Sequence, residues 1–332
     1  MLAEFSDKDN YASCVSTSAS SLGSMASMDS IPCDSRSEFD DLTTVKTLYD
    51  GKFGVYLVHS AHSKHYYALK VFPYENDQAS AYFYREARFS KFRHPNVISI
   101  PHYVCEHVAY YDDAATKVSY MLMEYARYGD FFNALVRYKI PMNEMLIRTY
   151  FHQLIEGLDF LHKNGAAHLD IKLENLLIGD NYIMKLADFD LSYFEEDGSV
   201  KTKGTKNFRA PELLARNCKD PKAADVYSAG IILFLLKTKG NLPYLEDKPS
   251  KGVDMAEVKD TNPKLFWEKH LQLLGKDAHY FSPEFKELFM QMTHFNPNKR
   301  ISIDEVKASD WYNGPIYSKK QVAEYMKIQF GF

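Results

Sequence analysis

Residues 168–178 read His168-Leu169-Asp170-Ile171-Lys172-Leu173-Glu174-Asn175-Leu176-Leu177-Ile178, an acid, a base and an amide at fixed offsets ahead of a short apolar strand. A second strand follows and ends on further acids, Met184-Lys185-Leu186-Ala187-Asp188-Phe189-Asp190. Two acidic clusters at the ends of apolar strands suit a divalent cation that holds phosphate oxygens, because hard ions take carboxylate and amide oxygens. Upstream, Tyr67-Ala68-Leu69-Lys70-Val71 places a lysine inside an apolar strand. A buried strand rarely carries an unpaired ammonium, so Lys70 either points to solvent or meets an anion. Gly51-Lys52-Phe53-Gly54 lies between two predicted strands, where glycines let a backbone approach a phosphate closely. Taken alone, a plain hairpin with two glycines is the better reading of it.

These residues need elements to hold them. Short β-branched and aromatic runs at 45–48, 55–58 and 66–72 predict consecutive antiparallel strands. Residues 78–93 carry Ala81, Tyr84, Ala87 and Phe92 at helical spacing, and His94-Pro95-Asn96 ends that helix because proline disfavours helical geometry before it. Strands are expected at 97–103 and 118–125, joined by a turn at Asp112-Asp113. After Gly129 the pattern becomes helical. Residues 142–164 place Met145, Ile147, Tyr150, Phe151, Leu154, Leu158 and Leu161 on a broad apolar face, with Asn164-Gly165 as the stop. Further helices are predicted over 225–237, 283–293 and 303–308, the last opened by the capping pair Ser302 and Glu305. Residues 245–264 read as a polar surface loop.

The expected class is α+β and bilobal: a small antiparallel β-rich lobe with one main helix over about residues 43–126, then a larger mostly helical lobe over about 127–313. Residues 1–42, serine-rich and without apolar periodicity, are expected to be a disordered tail. Residues 314–332 form a short second tail, with Val322, Tyr325 and Met326 on one helical face.

Forty Lys and Arg against 44 Asp and Glu give a net charge of −4, so no global field favours nucleic acid or an anionic membrane as a partner. Cys14, Cys33, Cys105 and Cys218 are scattered without metal-ligand spacing, which points to reduced thiols. With no run of 18 apolar residues and no secretory pattern, a soluble cytoplasmic monomer is the expectation, the nucleus being left open. Aromatic residues reach 14%, with 24 Tyr, 22 Phe and only two Trp. That excess is left largely to core packing.

Over roughly residues 43–311 the chain resembles the eukaryotic protein kinases. The glycine loop, Lys70, Met123-Glu124-Tyr125-Ala126, the loop around Asp170, the loop at Asp188, Ala210-Pro211-Glu212 and Asp225-Val226-Tyr227-Ser228-Ala229-Gly230 follow the family's order at close to its spacing. Arg300 after Asn296-Pro297 completes the set. The resemblance implies that Lys70 contacts the α and β phosphates of ATP and is held by an acid of the small-lobe helix. Glu86 is the candidate, as the only acid between Asp77 and Glu106, although its distance from His94 leaves the register open. Asp170 would orient the substrate hydroxyl, Lys172 would neutralise the transferring phosphoryl group, and Asn175 with Asp188 would hold Mg²⁺. Leu48, Ala68, Met123, Tyr125 and Leu177 would enclose the adenine, with hydrogen bonds from the backbone of residues 124–126, namely Glu124, Tyr125 and Ala126. Tyr49, Gly51, Gly54 and Tyr56 would cover the phosphates, and Asp130 would touch the ribose or a basic residue of the substrate. Glu212 with Arg300 would form a buried ion pair, and Asp225 would brace the catalytic loop. Lys172 and Gly204-Thr205 resemble the serine/threonine branch, so protein substrates with Ser or Thr acceptors are implied.

Four positions depart from that pattern. Tyr49 replaces the first glycine of the loop, Tyr56 its downstream valine, Asp190 the glycine after Asp-Phe, and Leu169 the arginine that receives a phosphorylated activation segment. Activity is therefore expected to depend little on phosphorylation of Ser199 or Thr202. These departures also motivate the alternative of a kinase-shaped scaffold with weak or no activity, whereas retention of Lys70, Asp170 and Asp188 favours an active enzyme. A small-molecule phosphotransferase is disfavoured by the complete segment at 188–212.

Overall fold

Strands β1 (Leu42–Asp50), β2 (Gly54–Ser60), β3 (Tyr66–Pro73), β4 (His102–Tyr111) and β5 (Ala114–Glu124) form one antiparallel sheet in the order β1-β2-β3-β5-β4. The computed structural model describes residues 42–331, except 77, 112–113, 201–203 and 245–254. The serine-rich segment, Thr202, the Asp112-Asp113 turn and half of the expected loop at 245–264 thus lie outside the described residues. Along β3 the side chains of Ala68, Lys70 and Phe72 are buried in alternation, so one face of the sheet is turned to the core.

Helix α1 (Ala81–Ala87) packs on that face, burying Phe83, Glu86 and Ala87. It is shorter than the expected 78–93. Ser80 caps its start, and after Ala87 the chain tightens into a 3₁₀ turn, Arg88–Lys91, which takes up the length before His94-Pro95. The expected strand at 97–103 is also displaced. Val97, Ile98 and Ile100 are buried, but β4 begins only at His102. An apolar run reports burial, and here the burial comes from an extended segment instead of a sheet ladder.

The larger lobe is built on α2 (Glu144–Lys163), whose apolar face buries Leu146, Ile147, Tyr150, Phe151, Leu154, Leu158 and Leu161. Asn143 caps its start, and Gly165 follows its end at φ +72°, the left-handed geometry that glycine adopts without penalty. Two short strand pairings follow from β6 (Ala166–Ala167), β7 (Leu176–Ile178), β8 (Met184–Leu186) and β9 (Tyr193–Phe194): β6 pairs with β9 and β7 with β8. Leu186 accepts from Ile98 at 2.8 Å, which ties the 97–100 segment to β8. After α3 (Pro211–Leu214), helix α4 (Pro221–Thr238) is buried nearly all round, and it starts before the expected 225 because Asp220 caps it and Pro221 opens it.

Helices α5 (Met255–Thr261) and α6 (Pro263–Leu274) replace the polar loop expected up to residue 264. Val258 and Lys259 are buried there, a core contact that a polar stretch does not advertise. Helices α7 (Pro283–Met292) and α8 (Ile303–Ala308) lie where periodicity placed them, and Ser302 and Glu305 form the capping box. Helix α9 (Lys319–Gln329) buries Val322 and Met326, and Phe330 beyond it lies against Tyr182 at 5.7 Å. Among the described residues no helix is long and apolar enough to cross a membrane.

Candidate active site

Lys70 on β3 donates from Nζ to Glu86 Oε2 at 2.6 Å and to Asp188 Oδ1 at 2.6 Å. Helix α1 therefore resolves the open register: the acid that meets the lysine is Glu86. Burial disfavours the ammonium of Lys70, but Asp188 and Glu86 outweigh it and hold the pKa above the usual lysine range. For Glu86, burial dominates and pushes the carboxyl up to about 7 against the pull of Lys70. Its Oε1 is buried and has no hydrogen-bond partner among the described residues. Burial also works against ionised Asp188, yet Lys70 beside it keeps that carboxyl below the ordinary aspartate value.

The catalytic loop is held from below. Asp225 on α4, fully buried, accepts from the backbone N–H of His168 and of Leu169, both at 2.8 Å. Those bonds offset the strain of Leu169, a branched residue at φ +63°. Asp170 then faces three partners. Asn175 Nδ2 donates to its Oδ2 at 3.2 Å, Lys172 Nζ lies 2.9 Å from the same oxygen, and Thr205 donates to Oδ1 from both N–H and Oγ1 at 2.7 Å. Lys172 also donates to Thr205 Oγ1 at 3.2 Å. Thr205 in this role is absent from the residues singled out by sequence as site residues. Its signal was Gly204: a Cβ there would stand 2.4 Å from the carbonyl oxygen of Leu169, so only glycine lets the two loops approach.

The nucleotide-side residues divide. In the β2–β3 register, Val55 faces Lys70 and Leu57 faces Ala68, while Tyr56 faces Leu69. Cross-strand partners share a face, so Val55 stands on the Lys70 side and Tyr56 on the other. Tyr56 is thereby corrected from a phosphate-covering residue to an outer-face residue, its ring lying over Gly54. Tyr49 pairs with Val55 and its ring covers Gly51, where an added Cβ would stand 2.2 Å from it. Leu48 falls at an irregularity of β1 and is 38% exposed.

Ala68 and Met123 are buried cross-strand partners, and Leu177 on β7 is half-buried. Glu124 turns its side chain to Lys185 at 2.7 Å, leaving the strand end to Tyr125 and Ala126. The carboxylate of Asp130 accepts from Asn133 at 2.7 and 2.6 Å, which makes it a turn cap as well as an acid beside the site. Asp190 is the further acid of the loop at Asp188. Burial and then Asp188 push its carboxyl up to about 6. Glu212 and Arg300 form a buried two-pronged pair at 2.6 and 3.0 Å.

Among the described residues no three acidic, histidine or cysteine side chains converge to hold a metal alone. Asp188 and Asn175 supply hard oxygens, which fit a Mg²⁺ ion whose shell phosphate and water oxygens would complete.

Residues 42–312 match the protein kinase domain family. CBL-interacting protein kinase 11 of Oryza sativa subsp. japonica is 35% identical over 230 residues, 68% of this chain and 41% of that protein. CBL-interacting serine/threonine-protein kinase 10 of Arabidopsis thaliana is 33% identical over 250 residues, 72% of this chain and 47% of the relative. Serine/threonine-protein kinase 13 of the same CBL-interacting group and organism is 33% identical over 277 residues, 80% and 50% of the two chains. The chain spans about half the length of these curated relatives. With the match covering both lobes and every loop described above, the chain belongs to the eukaryotic protein kinase family.

Proposed function

We propose that this protein transfers the γ-phosphoryl group of ATP to Ser or Thr hydroxyls of protein substrates, with Mg²⁺ as the accompanying ion. The observation that supports this best is the joined array of Lys70, Glu86 and Asp188 beside Asp170, Lys172 and Asn175. Phosphoryl transfer needs positioning and charge neutralisation far more than covalent chemistry, and this array provides both. Lys70, kept charged by its two carboxylates, suits the α and β phosphates. Asp188 and Asn175 would hold the ion, which when bound neutralises charge on the β and γ phosphates. Asp170, oriented by Thr205 and Asn175, accepts a hydrogen bond from the acceptor hydroxyl and receives its proton. Lys172 stays protonated beside Asp170 and faces the moving charge.

Asp130, Glu174 and Asp170 set carboxylates beside the acceptor position. Burial, followed by the neighbouring acids Asp130 and Asp170 against the pull of Lys172, holds Glu174 above its usual carboxyl pKa. A basic side chain of the substrate would favour the ionised form of these carboxylates, so basic residues near the acceptor are preferred. A Mg²⁺-ATP assay on a generic Ser/Thr protein substrate, run beside Asp170→Asn and Lys70→Met, tests the activity. Both variants are expected to lose at least about 100-fold in kcat. Equal incorporation by all three proteins refutes the activity and leaves the scaffold reading.

A further inference from the structure

Leu169 is 3% exposed and carries no charge, so the catalytic loop offers no cation to the activation segment at that position. The segment is nevertheless fastened to the small lobe by the 3₁₀ turn that prolongs α1. Arg88 Nη1 donates to Asp197 Oδ1 at 2.7 Å and Nη2 to Glu196 Oε1 at 2.5 Å, and its guanidinium carbon lies 3.7 Å from the centre of the Phe194 ring. Next to it, Phe89 stacks on Phe189 with ring centres 4.0 Å apart and planes 8° from parallel. One turn earlier, Arg85 donates to the carbonyl oxygen of Asp190 at 2.5 Å. The acidic turn is itself preformed, because Asp197 accepts from the N–H of Phe194 at 2.9 Å.

We propose that Arg88 is a positioning residue for phosphoryl transfer: by gripping Glu196 and Asp197 it holds α1, and with it Glu86, against Lys70 without any phosphorylated residue in the activation segment. The proposal rests on the kinase reading above. Its physical content is a substitution of charge donors. A phosphate is ordinarily recruited to pair with arginines and order a segment. Here two encoded carboxylates one residue apart supply negative charge to a single guanidinium, and the arginine opens the 3₁₀ turn that directly continues the helix carrying the lysine's partner. Geometry favours coupling, since Glu86 and Arg88 are two residues apart and move together with α1. A half-exposed pair alone contributes little. Its leverage here comes from the ring contacts on either side, Arg88 on Phe194 and Phe89 on Phe189, which fix where the guanidinium and the turn meet.

The test is a charge swap read in two ways. Arg88→Glu places a third carboxylate against Glu196 and Asp197, and its kcat is expected to fall about 10-fold or more with KM for ATP changed far less. Adding Glu196→Arg to that variant recreates one opposite-charge pair and is expected to recover at least about half of the lost kcat. Amide hydrogen exchange over residues 84–91 and 194–198 should be faster in Arg88→Glu than in the wild type and slow again in the double variant. Phosphatase-treated wild type should keep its rate. An Arg88→Glu protein with wild-type kcat and wild-type exchange overturns the proposal, as does a folded double variant with no recovery, or a large loss of rate on phosphatase treatment. If the wild type transfers no phosphate at all, the proposed function falls, while the exchange comparison still decides whether Arg88 holds α1 to the acidic turn.

Discussion

At the scale of single residues, the site departs from its family where charge is added, and Asp190 shows what that costs. Burial and Asp188 outweigh Lys70 and Lys172, so the carboxyl is raised from 3.8 to about 6 in the folded protein. A raised carboxyl is neutral in both states below about pH 4, and its burden on folding is complete above about pH 7. Asp190→Asn should therefore stabilise the ligand-free protein at pH 8 by at most about 3 kcal/mol, the gain shrinking as pH falls through 6 and vanishing near pH 4. Thermal melts across that range check the sign: a gain that is independent of pH contradicts it. Thr205 makes the second residue-scale prediction. Its hydroxyl donates to Asp170 at 2.7 Å, and bonds to charged groups contribute roughly 1.5–3 kcal/mol. Thr205→Val should lower kcat about 10- to 100-fold with the fold intact, and Thr205→Ser should restore most of it.

At the scale of elements, the site depends on close backbone approaches that side-chain patterns do not display. Gly157 lies inside α2, where alanine would ordinarily be favoured by roughly 1 kcal/mol. A Cβ at this glycine would stand 2.9 Å from the backbone oxygen of Asn96 and 2.7 Å from Leu186 Cδ1. That same Asn96 oxygen accepts from the N–H of Leu186 at 2.9 Å, a second bond beside that of Ile98 joining this stretch to β8 just before Asp188. Gly157→Ala is thus expected to destabilise by about 1–3 kcal/mol despite the better helix former, and urea unfolding reads it directly. An unchanged midpoint would mean that α2 and β8 separate freely. The displaced strand at 97–103 and the shortened α1 have a common origin. Apolar spacing reports which side is buried, but hydrogen-bond partners decide whether a buried segment is strand, helix or extended chain, and those partners lie far away in sequence.

At the scale of the whole molecule, the buried apolar side chains of both lobes form one continuous core, and α9 adds to it from beyond the matched residues 42–312. Met326 is fully buried, Val322 is 2% exposed, and Tyr325 donates to the carbonyl oxygen of Pro141 at 2.8 Å. Phe330 lies 5.3 Å from Tyr128, just after the 124–126 segment, and 5.7 Å from Tyr182, two rings that themselves stack at 4.2 Å. Met326→Ala should cost about 2–4 kcal/mol of stability, measured by urea denaturation, because the cavity it leaves is enclosed. A loss under about 0.5 kcal/mol would show that α9 docks only loosely. The aromatic excess finds much of its use here and in the Phe89, Phe189 and Phe194 cluster between the lobes.

The sequence by itself determined the class of fold, the helices with strong apolar faces and caps, and which acids, lysines and amides are candidates for the site, since each of these is written in local residue type and spacing. Tertiary structure supplied the register that brings the candidate Glu86 to Lys70, and it alone decided that Tyr56 turns away from the cleft while Val55 faces it, that Thr205 orients Asp170, and that Arg88 grips the acidic turn. Each of these depends on strand register or on contact between loops distant in the chain, where a shift of one residue reverses the face a side chain presents.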